Sequence, residues 1–171
     1  MGAIVQLDRL VRIRRSLALQ GKRVVFTNGT FDILHRGHVE YLAAAKKMGD
    51  VLIVGLNTDA SIRRIKGKRR PINRNAERAA VLSSLGSVDY VCFFGDDTPH
   101  KIIGRLIPDV LVKGADWKPD DIIGRDIVEK HSGKVRTVRL TPGRSTTNVI
   151  ERVLRAYGCG GERGRSSRRS R

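Results

Sequence analysis

Residues 51–56 (VLIVGL) form an uninterrupted apolar run, and this run restricts the possible folds of the chain more than any other segment does. A strand with one solvent-exposed face alternates between apolar and polar residues. A strand that is apolar at every position is typical of a parallel sheet covered on both faces. Parallel strands need long crossover connections, which are usually helices. The run therefore predicts a sheet whose strands alternate with helices along the chain.

The rest of the sequence shows this alternation. Further strands are predicted at residues 24–26, 88–94, 110–112 and 135–140. Helices are predicted at residues 4–19, 37–48, 74–85, 98–107, 120–131 and 146–157. A further helix is predicted to begin after a cap at Thr58 or Asp59. This order predicts an α/β fold of the Rossmann-like, doubly wound kind, with a mainly parallel five-stranded sheet and helices on both faces. We expect one domain over residues 1–157, with residues 1–23 as an N-terminal helix extension, and a basic disordered tail at 158–171.

The charge of the chain is concentrated in three segments. The 171 residues carry a formal net charge of +17, which raises the possibility of a nucleic-acid partner. Residues 1–23, 63–78 and 158–171 carry +5, +7 and +4, so the rest of the chain contributes only +1. Aromatic residues, on which nucleic-acid bases stack, make up only 5% and do not interleave with the basic runs. The pattern argues against nucleic acid as the partner.

The sequence also argues against a membrane or secreted protein. No apolar run approaches the roughly 20 residues that span a bilayer. The first segment combines Asp8 with four arginines and lacks the apolar core of a signal peptide. Cys92 and Cys159 are too far apart to predict a metal cluster or a disulfide framework, and Cys92 is most simply a small core residue. We expect a cytoplasmic protein.

The loop after the first apolar strand, residues 27–38 (TNGTFDILHRGH), carries the strongest functional pattern. Its glycines permit tight turns and close approach of the backbone to a ligand. His35 and His38 are three residues apart where a helix begins, so both can face the same side. A helix start favours phosphate, and two imidazoles there can donate hydrogen bonds to phosphate oxygens. An isolated pair of this kind is usually two surface histidines, but its coincidence with a strand end, a glycine turn and a helix start favours a phosphate site.

The pattern N-G-T-F-D-x-x-H-x-G-H resembles the first signature of the cytidylyltransferase-like nucleotidyltransferases, the family with the HxGH motif. Residues 110–117 (VLVKGADW) and 143–147 (GRSTT) resemble two further blocks of that family, in the same order. Within the family, the segments GLNTDASIRRIKGKRRPI, PDVLVKGADW and STTNVIERV are most similar to enzymes that act on D-glycero-β-D-manno-heptose 1-phosphate. Those enzymes often form one half of a bifunctional kinase/adenylyltransferase. No kinase half is seen here, so we expect a separate heptose kinase.

The resemblance implies an adenylyltransferase that joins ATP and the heptose 1-phosphate to give pyrophosphate and ADP-heptose, a precursor of the lipopolysaccharide core. Such a transfer depends mostly on positioning and charge stabilisation and needs no covalent nucleophile. Mg²⁺ is expected to arrive on the ATP phosphates, without a dedicated metal site in the protein. Family members commonly pair, so a homodimer is expected.

The resemblance also assigns roles to residues. Catalytic roles are expected for His35, His38, Lys66 and Lys68. Nucleotide binding is expected for Thr30, Phe31, Gly37, His38, Lys113, Gly114, Ser145, Thr146 and Thr147. Substrate binding is expected for Asp32, Asn57, Arg78, Asp116 and Trp117. Three of these roles have ordinary structural alternatives: Asp32 can brace its loop, the hydroxyls at 145–147 can cap a helix, and Trp117 can simply pack.

Other residues are interpreted without a role in the site: Arg63, Arg64, Arg69 and Arg70 as a solvated helix face, and His100 and His131 as surface or helix-end residues. Thr30 and Arg144 stand where the heptose enzymes often have Cys and Tyr. Leu140 occupies a position at which cytidylyltransferases usually carry Arg, which favours ATP over CTP. Two alternatives remain: a cytidylyltransferase acting on glycerol 3-phosphate or another small phosphate, and a non-catalytic polyanion- or nucleic-acid-binding module.

Overall fold

The computed structural model describes residues 1–139 and 141–158, so Leu140, Cys159 and the predicted tail beyond Gly158 lie outside the described residues. The strands are β1 (Ala3–Ile4), β2 (Val24–Gly29), β3 (Val51–Asn57), β4 (Tyr90–Phe94), β5 (Val110–Gly114) and β6 (Lys134–Val138). The helices are α1 (Leu7–Leu19), α2 (Arg36–Lys46), α3 (Asp59–Lys66), α4 (Asn75–Ser83), α5 (His100–Leu106), α6 (Arg125–Lys130) and α7 (Thr146–Tyr157). Within the described ranges, no helix combines the length and apolar character needed to cross a membrane.

All strands belong to one parallel sheet in the order β1-β4-β3-β2-β5-β6. The predicted doubly wound α/β fold is confirmed. The predicted strand count of five is wrong, because the sheet has six strands in the described part of the chain.

The additional strand is β1, at a position where the helical pattern predicts the start of the first helix. Ala3 and Ile4 pair with Tyr90 and Val91 at the edge of the sheet, and the helix begins only at Leu7. A single apolar residue such as Ile4 fits either structure, and the choice is made by hydrogen bonds to a strand far along the chain. Local periodicity cannot reveal such a partner.

The predicted helix at residues 120–131 is also shorter than expected. A 3₁₀ turn spans Pro119–Asp121, and α6 begins only at Arg125. Between them Gly124 has a φ of 88°, a left-handed conformation that an α-helix does not contain.

Two hydrophobic layers cover the sheet. Alternate residues of β2 point to opposite faces: Val25 packs with α2 and α4, whereas Val24 and Phe26 pack with α1, α5 and α6. Cys92, in β4, lies fully buried in the second layer, as a small core residue would. Burial on both faces explains why the central strands have continuously apolar sequences.

The topology places a crevice at the carboxyl ends of β2 and β5. The chain proceeds from β2 through β3 to β4 on one side, then returns to the other side of β2 with β5 and β6. Neighbouring connections therefore leave the sheet on opposite faces between β2 and β5. In open α/β sheets, ligands bind at this switch point.

A substitution at Gly55 in β3 tests how tightly the sheet packs against Phe26. A Cβ atom added to Gly55 would lie 2.7 Å from Cζ of the fully buried Phe26. We expect Gly55→Ala to reduce the free energy of unfolding by about 1–3 kcal/mol because the ring must be displaced. Gly86→Ala is the matched control, since an added Cβ there meets nothing within 4 Å. Urea denaturation that shows equal stability for the two variants would contradict this account of the packing.

Candidate functional site

A cavity of about 440 Å³ opens at the carboxyl edge of the sheet, at the switch point. The predicted site residues that line it are Thr30, Phe31, His35, Gly37, His38, Asn57, Lys66, Lys113, Gly114, Asp116, Trp117, Ser145, Thr146 and Thr147. Segments from all three motif blocks thus meet in one place. Lys68, Asp32 and Arg78 do not line the cavity.

The two histidines form a stacked pair at the start of α2. Their ring centroids are 3.8 Å apart, with 21° between the ring planes, and the Phe31 ring lies 5.2 Å from His38. The Nδ1 atoms of both histidines are buried and have no hydrogen-bond partner among the described residues. A buried polar atom without a partner is costly, so these atoms are well placed to bind a ligand group.

Burial keeps both imidazoles neutral at pH 7. Burial, with a smaller contribution from the neighbouring His35, lowers the pKa of His38 to about 4. Burial and then the nearby positive charge of Arg144 lower the pKa of His35. A neutral imidazole offers one N–H donor but no full charge. Positive charge for binding phosphate must therefore come from other groups at the cavity.

Backbone strain lies beside the histidines. Phe31 is 5% exposed and has a φ of 39°, in the left-handed region that residues other than glycine rarely adopt. Its ring covers Gly29, where an added Cβ would lie 2.9 Å from a ring carbon. A glycine at position 29 is thus required for the Phe31 ring to fold back beneath the cavity.

The carboxylate of Asp32 holds the loop after α3 against the loop after β2. It is fully buried and accepts hydrogen bonds from Arg70 Nε (2.6 Å) and from the backbone N–H groups of Ile72 (2.8 Å) and Asn73 (2.9 Å). With these donors in place, the carboxylate has no face toward the cavity. Contrary to its assignment as a substrate-binding residue, Asp32 braces the loop.

Arg78 is likewise a buried connector and does not face the cavity, although substrate binding is predicted for it. Its side chain is 0% exposed and donates to the backbone oxygens of Thr30 (2.6 Å) and Asn57 (2.8 Å) and to the carboxylate of Asp59 (2.7 Å). All three contacts lie within the protein interior. Charge and position along the chain suggest a phosphate ligand, but burial on α4 makes Arg78 a structural cation.

The basic segment between α3 and α4 divides into residues with different surroundings. Arg63 and Arg64 are exposed on α3, as predicted, and Arg64 forms an ion pair with Asp97. The helix ends at Lys66, so Lys68, Arg69 and Arg70 belong to the following loop and not to a helix face. Lys68 is exposed and does not line the cavity, and its predicted catalytic role stays a prediction. The interpretation of Arg70 as solvated is wrong, because it lines the cavity and pairs with buried Asp32.

Lys113 lies at the end of β5 with its ammonium group in the wall of the cavity. Nζ donates to the side-chain oxygen of Asn28 and lies 5.6 Å from the centre of the Trp117 ring. Burial lowers the pKa of Lys113 to about 8, and the nearby Asp116 carboxylate opposes this shift. The group is therefore mostly protonated at pH 7 and contributes positive charge to the cavity.

The start of α7 closes the other side of the cavity. The Ser145 side chain accepts a hydrogen bond from the backbone N–H of Asn148 (3.1 Å), so Ser145 caps the helix as the ordinary alternative expects. Thr146 donates to the carbonyl oxygen of Ile33 (3.4 Å), which attaches this helix to the loop after β2. Two helix starts, those of α2 and α7, consequently border the cavity and favour a bound anion.

The sequence analysis missed several lining residues: Asn28, Gly29, Tyr41, Arg70, Thr141 and Arg144. Tyr41 could have been found, because it lies three residues after His38 on the same helix face. Its hydroxyl group contacts Thr27 (2.7 Å) and Val112 (3.1 Å), and burial raises its pKa. No local sequence pattern indicates that Arg70 and Arg144 line the cavity, because their positions depend on how the loops fold. His100 and His131 lie at helix ends outside the cavity.

The buried Asp32 carboxylate provides a stability test. We expect Asp32→Asn to lower the free energy of unfolding by about 3 kcal/mol, because it leaves Arg70 without its buried partner. We also expect faster cleavage by trypsin in the basic loop. Asp97→Asn is the matched control, because the Arg64–Asp97 pair is half exposed on both sides and should contribute less than about 1 kcal/mol. Equal losses of stability in the two variants would contradict the bracing role.

His38 provides a pH test. Its pKa is about 4 in the folded protein against 6.5 as the reference value, so between these pH values the unfolded chain binds more protons. The stability contributed by the neutral ring is complete above pH 6.5 and is lost as the pH falls to 4. We expect the stability difference between wild type and His38→Gln to change in the same direction, measured by urea denaturation at several pH values. A difference that stays constant from pH 4 to 6.5 would contradict the low pKa.

Comparisons with known proteins agree with this geometry. The sequence profile described as cytidylyltransferase-like matches residues 26–152. The bifunctional protein HldE of Geobacter metallireducens is 52% identical over 155 residues, which are 91% of this chain and 32% of that protein. The bifunctional protein HldE of Campylobacter concisus is 52% identical over 149 residues, which are 86% of this chain and 31% of that protein.

A solved structure is also similar. The lipopolysaccharide core biosynthesis protein from Thermoplasma volcanium superposes with a TM-score of 0.58 at 35% identity, covering 71% of this chain and 98% of that chain. The chain spans about a third of the length of the curated relatives it matches. The matched residues include the stacked histidines, the end of β5 and the start of α7, which together form the cavity. The chain belongs to the cytidylyltransferase-like family.

Proposed function

We propose that this chain is an adenylyltransferase that joins ATP and D-glycero-β-D-manno-heptose 1-phosphate to give ADP-heptose and pyrophosphate. One observation carries the phosphate chemistry: two stacked, half-buried imidazoles line the cavity at a helix start, and their buried Nδ1 atoms have no partner among the described residues. The choice of ATP and heptose is supported by the motif resemblance and by the HldE relatives. The similarity to the solved lipopolysaccharide core biosynthesis protein supports the same choice.

The reaction is an in-line displacement at the α-phosphorus of ATP. A phosphate oxygen of the sugar attacks this phosphorus, and a new P–O bond forms as the bond to the bridging oxygen breaks. Pyrophosphate leaves with the electron pair. His35 and His38 donate hydrogen bonds to the phosphate oxygens, and Lys66 and the starts of α2 and α7 supply positive potential. The negative charge that moves onto pyrophosphate is thereby stabilised without a covalent intermediate.

The remaining lining residues hold the two substrates. Nucleotide contacts are assigned to Thr30, Phe31, Gly37, Lys113, Gly114, Ser145, Thr146 and Thr147, and sugar-phosphate contacts to Asn57, Asp116 and Trp117. Mg²⁺ enters as part of the ATP substrate. Among the described lining residues Asp116 is the sole carboxylate, which suits a cation held mainly by phosphate oxygens and water.

The proposal has consequences for the surroundings of the enzyme. A kinase reaction must supply the heptose 1-phosphate. We place the enzyme in the cytoplasm, where ATP is abundant, and propose a homodimer by resemblance. Residues 1–157 are proposed as one nucleotidyltransferase domain with residues 1–23 as an N-terminal extension. In keeping with that proposal, α1 packs directly on the sheet through fully buried Leu10.

A pyrophosphate-release assay tests the reaction. The protein is mixed with Mg²⁺, with ATP or CTP, and with heptose 1-phosphate or glycerol 3-phosphate. We expect pyrophosphate only with ATP and heptose 1-phosphate, and formation of ADP-heptose in equal amount by mass spectrometry. Release with CTP and glycerol 3-phosphate would establish the alternative substrates. No release with any pair, together with tight and steeply salt-dependent binding of DNA or RNA, would establish a polyanion-binding module.

In the same assay, His38→Ala tests the histidine pair. Loss of a donor to the developing charge is expected to reduce kcat by about 10²–10³-fold. His131→Ala is the control, because His131 is exposed at the end of α6 and lies outside the cavity. If His38→Ala has the activity of the control while both variants are folded by circular dichroism, the assigned role of His38 is wrong.

A further inference from the structure

We propose that Arg144 is a phosphate-binding residue, which contacts an oxygen of a substrate phosphate lying between the starts of α2 and α7. This inference rests on the proposed nucleotidyl transfer and adds a residue to which the motif resemblance assigns no role. Arg144 occupies the variable position in the segment G-R-S-T-T.

The local backbone places Arg144 against the histidine loop. Gly143 has a φ of 67°, a left-handed turn that glycine adopts without strain, and Ser145 then caps α7. The Cβ atom of Arg144 lies 3.2 Å from the point where a Cβ on Gly37 would lie. Arg144 thus packs directly on the first turn of α2, and its side chain lines the cavity.

The guanidinium group has no internal partner in the described part of the chain. No carboxylate oxygen lies within 4 Å of it there, and it donates no hydrogen bond to any described residue. The carboxylate of Glu40 is bonded to Thr141 and Arg36, which lower its pKa, and the charge of Arg144 makes only a smaller contribution. The positive charge of Arg144 also reaches His35, as the lowered pKa of that ring indicates.

The other cations of the cavity are arranged differently. Arg70 is neutralised by the carboxylate of Asp32. Lys113 donates to the neutral amide of Asn28 and keeps its positive charge in the wall of the cavity, at the end of β5. Lys66 is exposed and comes from the end of α3, on the β3 side of the histidines. Arg144 comes from the β6 side. A phosphate chain lying over the neutral histidines would therefore have one uncommitted cation on each side.

The chemistry of arginine suits this position. A guanidinium group can donate two parallel hydrogen bonds to phosphate, and it stays charged at every working pH. Two helix starts beside it add partial positive charge to the same point. The phosphate can belong either to the leaving pyrophosphate end of ATP or to the sugar 1-phosphate, and binding experiments separate these sources.

The test measures binding of two probes, Mg²⁺-pyrophosphate and heptose 1-phosphate, by calorimetry and by fluorescence of Trp117, the single tryptophan of the chain. We expect Arg144→Gln to weaken one of these probes by about 10-fold or more, because a charge-assisted contact is lost. Arg144→Lys should recover part of the affinity. Arg152→Gln removes the same charge from an exposed position of α7, outside the cavity, and should bind like wild type.

The outcomes are decisive in each case. Weaker binding of pyrophosphate alone assigns Arg144 to the leaving group, and weaker binding of heptose 1-phosphate alone assigns it to the sugar. Wild-type affinity of Arg144→Gln for both probes, or failure of the wild type to bind either, overturns the inference. If the wild type binds pyrophosphate and Arg144→Gln weakens it, yet heptose 1-phosphate gives no turnover, the proposed substrate is wrong and the role of Arg144 stands.

Discussion

A buried carboxylate links the two loops on which the cavity depends. Asp32 lies in the loop that carries the stacked histidines, and its oxygens bind Arg70 and the backbone of Ile72 and Asn73 in the loop after α3. Arg78 adds a second link, since it donates to the backbone of Thr30 and of Asn73. Neither side chain lines the cavity, yet both hold in place the loops whose residues line it. A fully buried carboxylate is stable only with such complete hydrogen bonding, so the two loops are held in one relative position.

Because the loops are held rigidly, different groups of the cavity supply hydrogen bonds and positive charge. The histidines are half-buried and stacked, which keeps them neutral and gives them defined directions. Charge is supplied instead by Lys113 in the wall, by Lys66 and Arg144 at the edges, and by the starts of two helices. Cationic imidazoles packed at 3.8 Å would repel one another, so the stacked arrangement favours the neutral form. Burial is the main cause of the lowered pKa of both rings, and proximity to His35 adds a smaller contribution for His38.

The sequence predicts the sheet and most of the cavity because both depend on local patterns. Apolar runs mark the buried strands, and the loops after parallel strands necessarily meet at one edge. The sequence-based predictions fail where burial or a partner far along the chain determines the structure or the surroundings of a residue. Arg70 and Arg78 are equally basic in sequence. Both form ion pairs within the protein, because the folded loops bring Asp32 and Asp59 to them. Residues 3–4 become a strand because β4 has an unpaired edge, which no local periodicity of residues 4–19 can indicate.

Pairing of basic residues inside the protein also explains why the net charge of the chain does not predict its ligand. A net charge of +17 suggests a basic surface, but the structure assigns part of it to internal contacts. Arg14 of the basic first helix donates to Asp109 and to the carbonyl oxygen of Ile107, and Asp109 in turn accepts from the backbone of Val24 at the start of β2. Arg14 therefore fastens α1 to the central strand. Since such cations are neutralised where they lie, the few uncommitted ones at the cavity determine where an anion binds, whereas the sum over the sequence does not.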